Sequence, residues 1–247
     1  MLNTLKTPFL SIIIPAYNEA TRLPHTLEKI FAYLKKQRYS SEVIVVENGS
    51  VDGTLEVASQ YIKKHRNLVV VHEENKGKGN AVRRGVLIAR GEYRFICDAD
   101  LSMPIEDLEK FLPPLNTGFD IAIGSREAPG AIRYNEPPYR HFGGRAINLI
   151  IRALILPGLR DTQCGFKCFR AETTEFLFRQ QTLTGWSFDI ELLYLARRKK
   201  MKIQEIPIRW YFASDSKVSA LRDALRMISD IFKIHRNARR GVYDPKP

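Results

Sequence analysis

With 247 residues, 44% of them hydrophobic and 27% charged, the chain is long enough for one sizeable core and too well mixed to be disordered, except at its ends. The formal net charge of +12 asks for an anionic partner, whether nucleic acid, nucleotide, phosphate or acidic lipid, and charge alone does not choose among them. Three cysteines, Cys97, Cys164 and Cys168, exclude a disulfide framework, and no His or Cys cluster has the spacing of a zinc site. A reducing cytosol is the simplest setting, with the Cys164 and Cys168 pair read as core packing.

Short β-branched runs alternate with longer segments of helical period, which predicts an α/β fold with a mainly parallel central sheet and helices on both faces. Strands are expected at Leu10–Ile14, Val43–Val46, Leu68–Val71, Tyr93–Cys97 and Ile121–Ile123, and helices near Thr21–Lys36, Thr54–Lys64, Lys78–Ala89 and Ile105–Leu112. The Pro- and Gly-rich segment Ala128–Pro138 reads as a loop. After it come a very apolar helix near Gly143–Leu156, a strand at Phe166–Phe169, a helix following Asp189 and a strand at Ile203–Trp210.

A closing amphipathic helix from about Ser216 to His235 carries Leu221, Leu225, Ile228 and Phe232 at helical spacing with Ala224 and Ile231 beside them, a stripe expected to pack on the sheet. One domain is expected, with about 8–124 reading as a nucleotide-binding half and about 125–247 as an acceptor half. No leading basic and apolar segment marks the chain for export. The longest apolar stretch, Ala146–Leu156, is interrupted by Asn148 and Arg152 and falls short of the roughly 20 residues a spanning helix needs. Membrane association is therefore expected to be peripheral.

The sharpest chemical signal is Asp98-Ala99-Asp100 directly after an apolar strand. The carboxyl edge of an open α/β sheet is where ligands bind. Hard carboxylates with substrate phosphates suit Mg²⁺ or Mn²⁺, although an Asp-x-Asp pair alone also fits a plain turn. Two further strands end in polar turns, Pro15-Ala16-Tyr17-Asn18-Glu19 and Glu47-Asn48-Gly49-Ser50, so Glu19, Glu47 and Asp98 are expected to converge on a base, ribose and diphosphate. In Asn75-Lys76-Gly77-Lys78-Gly79-Asn80 the glycines and exposed amides open a helix and fit a phosphate, but the spacing is not that of a P-loop.

These residues together resemble glycosyltransferase family 2 and its GT-A fold, whose members open with a similar Pro-x-Tyr-Asn-Glu turn. Where that family typically has Asp-Asp-Gly-Ser after the second strand, this chain has Glu47-Asn48-Gly49-Ser50. Farther along, Gly124-Ser125-Arg126, the run Arg140 to Asn148, Asp161-Thr162-Gln163-Cys164-Gly165-Phe166-Lys167, Trp186-Ser187-Phe188-Asp189-Ile190-Glu191, Ile206-Pro207-Ile208-Arg209-Trp210 and Ser216-Lys217-Val218 resemble the dolichyl-phosphate glucosyltransferase branch, related to dolichyl-phosphate mannose synthase.

The resemblance implies inverting transfer of a hexose, glucose from UDP-glucose, to a polyprenyl phosphate at the cytoplasmic face of a membrane. Asp98 and Asp100 would hold Mg²⁺ or Mn²⁺, and Pro15, Tyr17, Glu19, Glu47, Lys76, Lys78 and Ala99 would line the donor. Arg126 and Arg140, with Gln163 beside them, would grip the acceptor phosphate; Arg145 is a weaker candidate. Asp189 would orient sugar hydroxyls or act as a base, and it equally fits an N-cap for the helix at Ile190–Lys199. Alternatives are a GDP-mannose donor, a saccharide hydroxyl as acceptor, and a non-catalytic basic module on nucleic acid or acidic lipid. The last explains the charge but not the acidic strand ends, so no nucleic-acid partner is expected.

Overall fold

A computed structural model describes residues 7–137, 148–212 and 220–244, without the side chains of 220–223. The chain alternates strand and helix at first: β1 (Leu10–Ala16), α1 (Leu23–Leu34), β2 (Ser41–Glu47), α2 (Thr54–Ile62), β3 (Leu68–His72), α3 (Lys78–Ile88) and β4 (Tyr93–Ile96). A 3-10 helix at Ile105–Phe111 leads to β5 (Ile121–Ser125) and the short β6 (Ile132–Tyr134). Residues 148–154 are helical, followed by β7 (Lys167–Arg170), α4 (Ala171–Gln180), α5 (Phe188–Arg198), β8 (Ile203–Pro207), β9 (Arg209–Tyr211) and α6 (Ala220–Arg239).

Seven strands form one sheet in the order β3-β2-β1-β4-β7-β5-β8. All neighbours are parallel except β7, which runs antiparallel to both β4 and β5. The near-continuous apolar sequences of β1 and β2 follow from burial on both faces: Ile12, Ile14, Val43 and Val45 face a core with α1 and the 3-10 helix, while Ile13, Ile44 and Val46 face α3. The mainly parallel α/β architecture expected from the alternation is the one found.

Three expectations are corrected here. The strand expected at Ile203–Trp210 is two strands in different sheets, because β8 pairs with β5 while β9 pairs with β6 in a separate two-stranded sheet. Pro207, lacking an amide donor, stands at the break. The segment read as a loop at Ala128–Pro138 contains β6, and α4 was not foreseen; half of the latter's buried face is Thr173 and Thr174. The stripe of α6 is also rotated. Met227, Ile231 and Ile234 are buried, whereas Leu225 and Phe232 are 63% and 64% exposed, because the side facing the 148–154 helix and α5 carries an apolar set of its own.

Candidate active site

The carboxyl ends of β1, β4 and β5 lie on one edge of the sheet. Because β7 is reversed, its first residue, Lys167, reaches the same edge, opposite Ile96 of β4 and Ile123 of β5. Asp98 and Asp100 follow β4, Arg126 follows β5 and Asp189 lies in the first turn of α5. The fold thus gathers charged residues that are far apart in sequence.

Asp98 is half-buried, and its Oδ1 sits 2.6 Å from Lys78 Nζ. Its Oδ2 faces the backbone of Gly165, where an added Cβ would come within 2.0 Å of that oxygen. Burial alone would raise the Asp98 carboxyl, but Lys78 beside it, with Lys167 and Arg126 farther off, holds it below the usual carboxylate range. Asp100 is exposed and accepts a hydrogen bond from the Ser102 amide at 3.0 Å. Its carboxyl is pushed up by desolvation and by the neighbouring Asp98 charge.

Lys78, the first residue of α3, also lies under the Trp186 ring, with Nζ 4.8 Å from the centroid. Burial works to lower its ammonium pKa, and the fields of Asp98, Asp189 and Asp100 outweigh burial and raise it. Asp189 is buried, with Oδ1 3.0 Å from Lys167 Nζ. Beyond that ion pair Oδ1 has no hydrogen-bond partner among the described residues, and burial leaves its carboxyl raised despite Lys167 and Lys78. No capping bond is made by Asp189; Ser187 occupies the N-cap position.

Lys167 is the residue that sequence reasoning passed over. Only 2% of its side chain is exposed, and its ammonium also donates to the Cys164 carbonyl. A lysine flanked by Phe166 and Cys168 in an apolar strand was the available signal, since an ammonium is fully buried only when paired.

On the other side of the cleft, Arg126 is held by buried Asp161, with Nε to Oδ2 at 2.7 Å, Nη2 to Oδ1 at 2.9 Å and its own amide to Oδ2 at 3.0 Å. That edge of the guanidinium is committed to Asp161, which leaves Nη1 for the fork expected toward an acceptor phosphate. Trp210 covers Arg126 at 5.5 Å and Arg133 at 5.8 Å, so each of the two tryptophans of the chain lies over a cation at this edge. Gln163 is half-buried in the loop before β7. Arg140 and Arg145 lie outside the described residues, as do Lys217 and most of the run from Arg140 to Asn148.

Of the three carboxylates expected to converge on the donor, Glu47 and Glu19 have internal partners. Glu47 is buried and turned into its own loop, accepting from the Ser50 amide and meeting His72 Nδ1 at 2.5 Å. Burial opposes its ionisation, but these partners hold its carboxyl below the usual range. Glu19 grips Arg22 through two 2.7 Å bonds. Pro15 ends within β1, Tyr17 stands exposed beyond it, and Ala99 is buried with its carbonyl accepting from Thr26 Oγ1 at 2.6 Å.

Asn48, the departure from the usual family residue, does structural work. Its Nδ2 donates to the Glu73 and Asn75 carbonyls, both at 2.9 Å, and its Oδ1 accepts from the Gly77 amide at 2.7 Å. The Gly79 amide donates to the Thr184 carbonyl at 2.8 Å. The amides of Gly77 and Gly79 expected to face a phosphate are thus already engaged, and Lys76 is exposed with its stem against Gly49.

A divalent cation fits this edge. Among the described residues no group of three His, Cys, Asp or Glu could hold a metal alone, so Asp98 and Asp100 supply two hard oxygen donors and a ligand's phosphates must supply others, which is how Mg²⁺-type ions are usually held. The Lys78 ammonium against Asp98 already shows that a cation is stable there.

Residues 11–183 match the sequence family described as Glycosyl transferase family 2. The chain belongs to this family. Among curated relatives, a dolichyl-phosphate beta-glucosyltransferase of Trichomonas vaginalis is 35% identical, over 96% of this chain and 74% of that protein. The Homo sapiens protein of the same name is 35% identical over 92% and 75%. Among solved structures, glucosyl-3-phosphoglycerate synthase from Mycobacterium tuberculosis superposes with a TM-score of 0.65 at 17% identity, over 92% of this chain and 80% of that one. Mannosyl-3-phosphoglycerate synthase from Rubrobacter xylanophilus gives 0.65 at 17%, over 97% and 77%. The GT-A type fold expected of the family is borne out, and the chain is a glycosyltransferase.

Proposed function

We propose that this chain transfers glucose from UDP-glucose to a polyprenyl or dolichyl phosphate with inversion, as the names of its curated relatives suggest. The observation that carries the reading is the cluster of Asp98, Asp100, Asp189, Lys78 and Lys167 on the carboxyl edge of the sheet, in a fold whose solved neighbours include one with Mn²⁺ and UDP-glucose bound. A divalent ion on Asp98 and Asp100, Mg²⁺ or Mn²⁺, would supply charge neutralisation to the departing diphosphate.

The acceptor needs little help with its proton. A phosphate monoester, with its second pKa near about 6, is largely dianionic at neutral pH, so the attacking oxygen needs positioning rather than a strong base. Asp189 then orients the sugar hydroxyls. Arg126, fixed by Asp161 and covered by Trp210, sets the charge of the acceptor side, with Arg140 and Gln163 as further phosphate contacts. In this reading 8–124 holds the donor and 125–247 the acceptor.

The acceptor's lipid tail gives meaning to an exposed apolar face. Leu149, Ile150 and Leu154 from the 148–154 helix and Leu225 and Phe232 from α6 are exposed. The two helices enclose a small apolar cavity lined by Ile150, Ile151, Met227 and Ile231. Exposed Arg152, Arg226, Lys233 and Arg236 alternate with these residues, which suits an anionic bilayer surface. No helix among the described residues is long and apolar enough to span a membrane; in this reading the exposed apolar and basic face rests on the cytoplasmic side of the bilayer.

The test is transfer of radiolabelled sugar from a panel of UDP- and GDP-sugars to short-chain polyprenyl phosphate, with Mg²⁺ or Mn²⁺. Labelling from UDP-glucose supports the reading, and labelling from GDP-mannose alone replaces the donor. If only a saccharide is labelled, and Asp189→Asn abolishes that transfer, the acceptor assignment is wrong.

A further inference from the structure

Both oxygens of Asp98 are occupied, yet by neighbours of very different stiffness. Oδ2 lies against the Gly165 backbone, close enough that a Cβ there would sit 2.0 Å away, and a backbone wall does not step aside cheaply. Oδ1 meets the Lys78 ammonium at 2.6 Å, on a four-carbon stem that changes rotamer freely. A divalent ion approaching Oδ1 therefore competes with that ammonium for the carboxylate.

The backbone beneath Lys78 is locked. Gly77 has φ +135°, and a Cβ on it would lie 2.3 Å from the Thr184 carbonyl oxygen. The Gly77 amide is held by Asn48 and the Gly79 amide by Thr184. Any response must therefore come from the Lys78 side chain, with α3 and its loop staying in place. The neighbour above it, Trp186, is 50% exposed, and nothing lies within 4 Å of the position a Cβ would take on Gly185, so the lid over the ammonium is open to solvent.

We propose that Lys78 is the resident counter-ion of Asp98 and exchanges places with the divalent cation, moving from the carboxylate to the donor's diphosphate as metal and nucleotide bind together. The inference rests on the reading above that a nucleotide diphosphate and a metal meet at this edge. It assigns Lys78 two successive partners and predicts opposite effects on two ligands. Removing the ammonium frees Asp98 for metal but deprives the diphosphate of a cation. The amides of Gly77 and Gly79, already engaged, cannot take its place.

The experiment measures Mn²⁺ binding by electron paramagnetic resonance without nucleotide, and UDP binding by calorimetry at saturating Mn²⁺, for the parent, Lys78→Met and Lys78→Arg. Lys78→Met should bind Mn²⁺ at least about tenfold more tightly and UDP at least about tenfold more weakly. Lys78→Arg, which keeps the charge, should bind Mn²⁺ as weakly as the parent, and it guards against a Met variant that fails to fold. Unchanged or weaker Mn²⁺ binding by folded Lys78→Met overturns the exchange and leaves Lys78 a structural prop. Tighter Mn²⁺ with unchanged UDP also overturns it, because the ammonium then never reaches the diphosphate. A parent that binds neither Mn²⁺ nor UDP overturns the functional reading itself.

Discussion

The two ends of the central sheet both bury a carboxylate beside basic groups, but they solve the problem differently. At the amino end Glu42 of β2 accepts from Ser11 Oγ at 2.7 Å, from the Arg90 amide at 2.7 Å and from the Arg90 guanidinium at 3.1 and 3.0 Å. Ser11 Oγ in turn accepts from the Gly91 amide at 2.8 Å, so every partner is matched. At the carboxyl end Asp189 keeps an oxygen without a hydrogen bond and the carboxyls of Asp100 and Asp189 are both pushed up. One end is electrostatically closed and holds the fold together. The other is left short of positive charge, which a bound cation would supply, and such incompletely satisfied groups are where function concentrates.

The largest effect that tests this contrast is on turnover. Asp100→Asn should reduce sugar transfer by about a thousandfold, or about 4 kcal/mol of barrier, while thermal melting stays the same or rises, because the repulsion with Asp98 is relieved. A melting temperature that falls with activity would mean that the edge is structural after all. Glu42→Ala should do the reverse, lowering unfolding free energy by about 3 kcal/mol with donor affinity unchanged in the folded fraction, as chemical denaturation and calorimetry would show.

A smaller effect comes from Asp107, a closed cluster of the amino-end kind on the 3-10 helix. It takes the Arg209 amide and guanidinium at 2.8 to 3.1 Å, with Lys110 at 3.0 Å. Burial would raise its carboxyl, but these cations hold it below the usual range. Its folded value is therefore below its unfolded one, so the stabilisation is complete above about pH 4 and is lost as pH falls below that. Asp107→Asn should cost about 2 kcal/mol at neutral pH and flatten the acid limb of a stability–pH curve.

The smallest effect on stability should come from Phe232→Ser, within about 0.5 kcal/mol for so exposed a residue. Paired with Leu225→Ser, it should nonetheless abolish co-flotation with anionic vesicles while transfer to a short-chain acceptor in detergent persists. Retained flotation would send the lipid tail to another face.

How much of this could be read from the chain depended on what covers each segment. β1, β2 and β4 were legible to within about two residues because strands buried on both faces are written as unbroken apolar runs. The face of α6 was not, since Leu225, Ile228 and Phe232 repeat as regularly as Met227, Ile231 and Ile234, and only the neighbouring helices decide which set packs. At the site, the Asp98 and Asp100 pair stood out by residue type at a strand end, while Lys78 and Asp189 were singled out through the resemblance, and the fold brings all four to one edge. The internal partners of Glu47 and Arg126, His72 for one and Asp161 for the other, were not legible, because a sequence shows a charge but not what pairs with it. Lys167 was missed because only the reversal of β7 carries it to the cleft.

That reversed strand has a mechanical consequence. Since β7 is hydrogen-bonded between β4 and β5, the charged residues of both groups stand on a single sheet rather than on two lobes. Among the described residues that sheet offers no seam of the kind along which hinged enzymes swing shut. Water must then be excluded by loops and by whatever surface covers this edge, a part that a lipid bilayer would play if it delivers the acceptor as proposed.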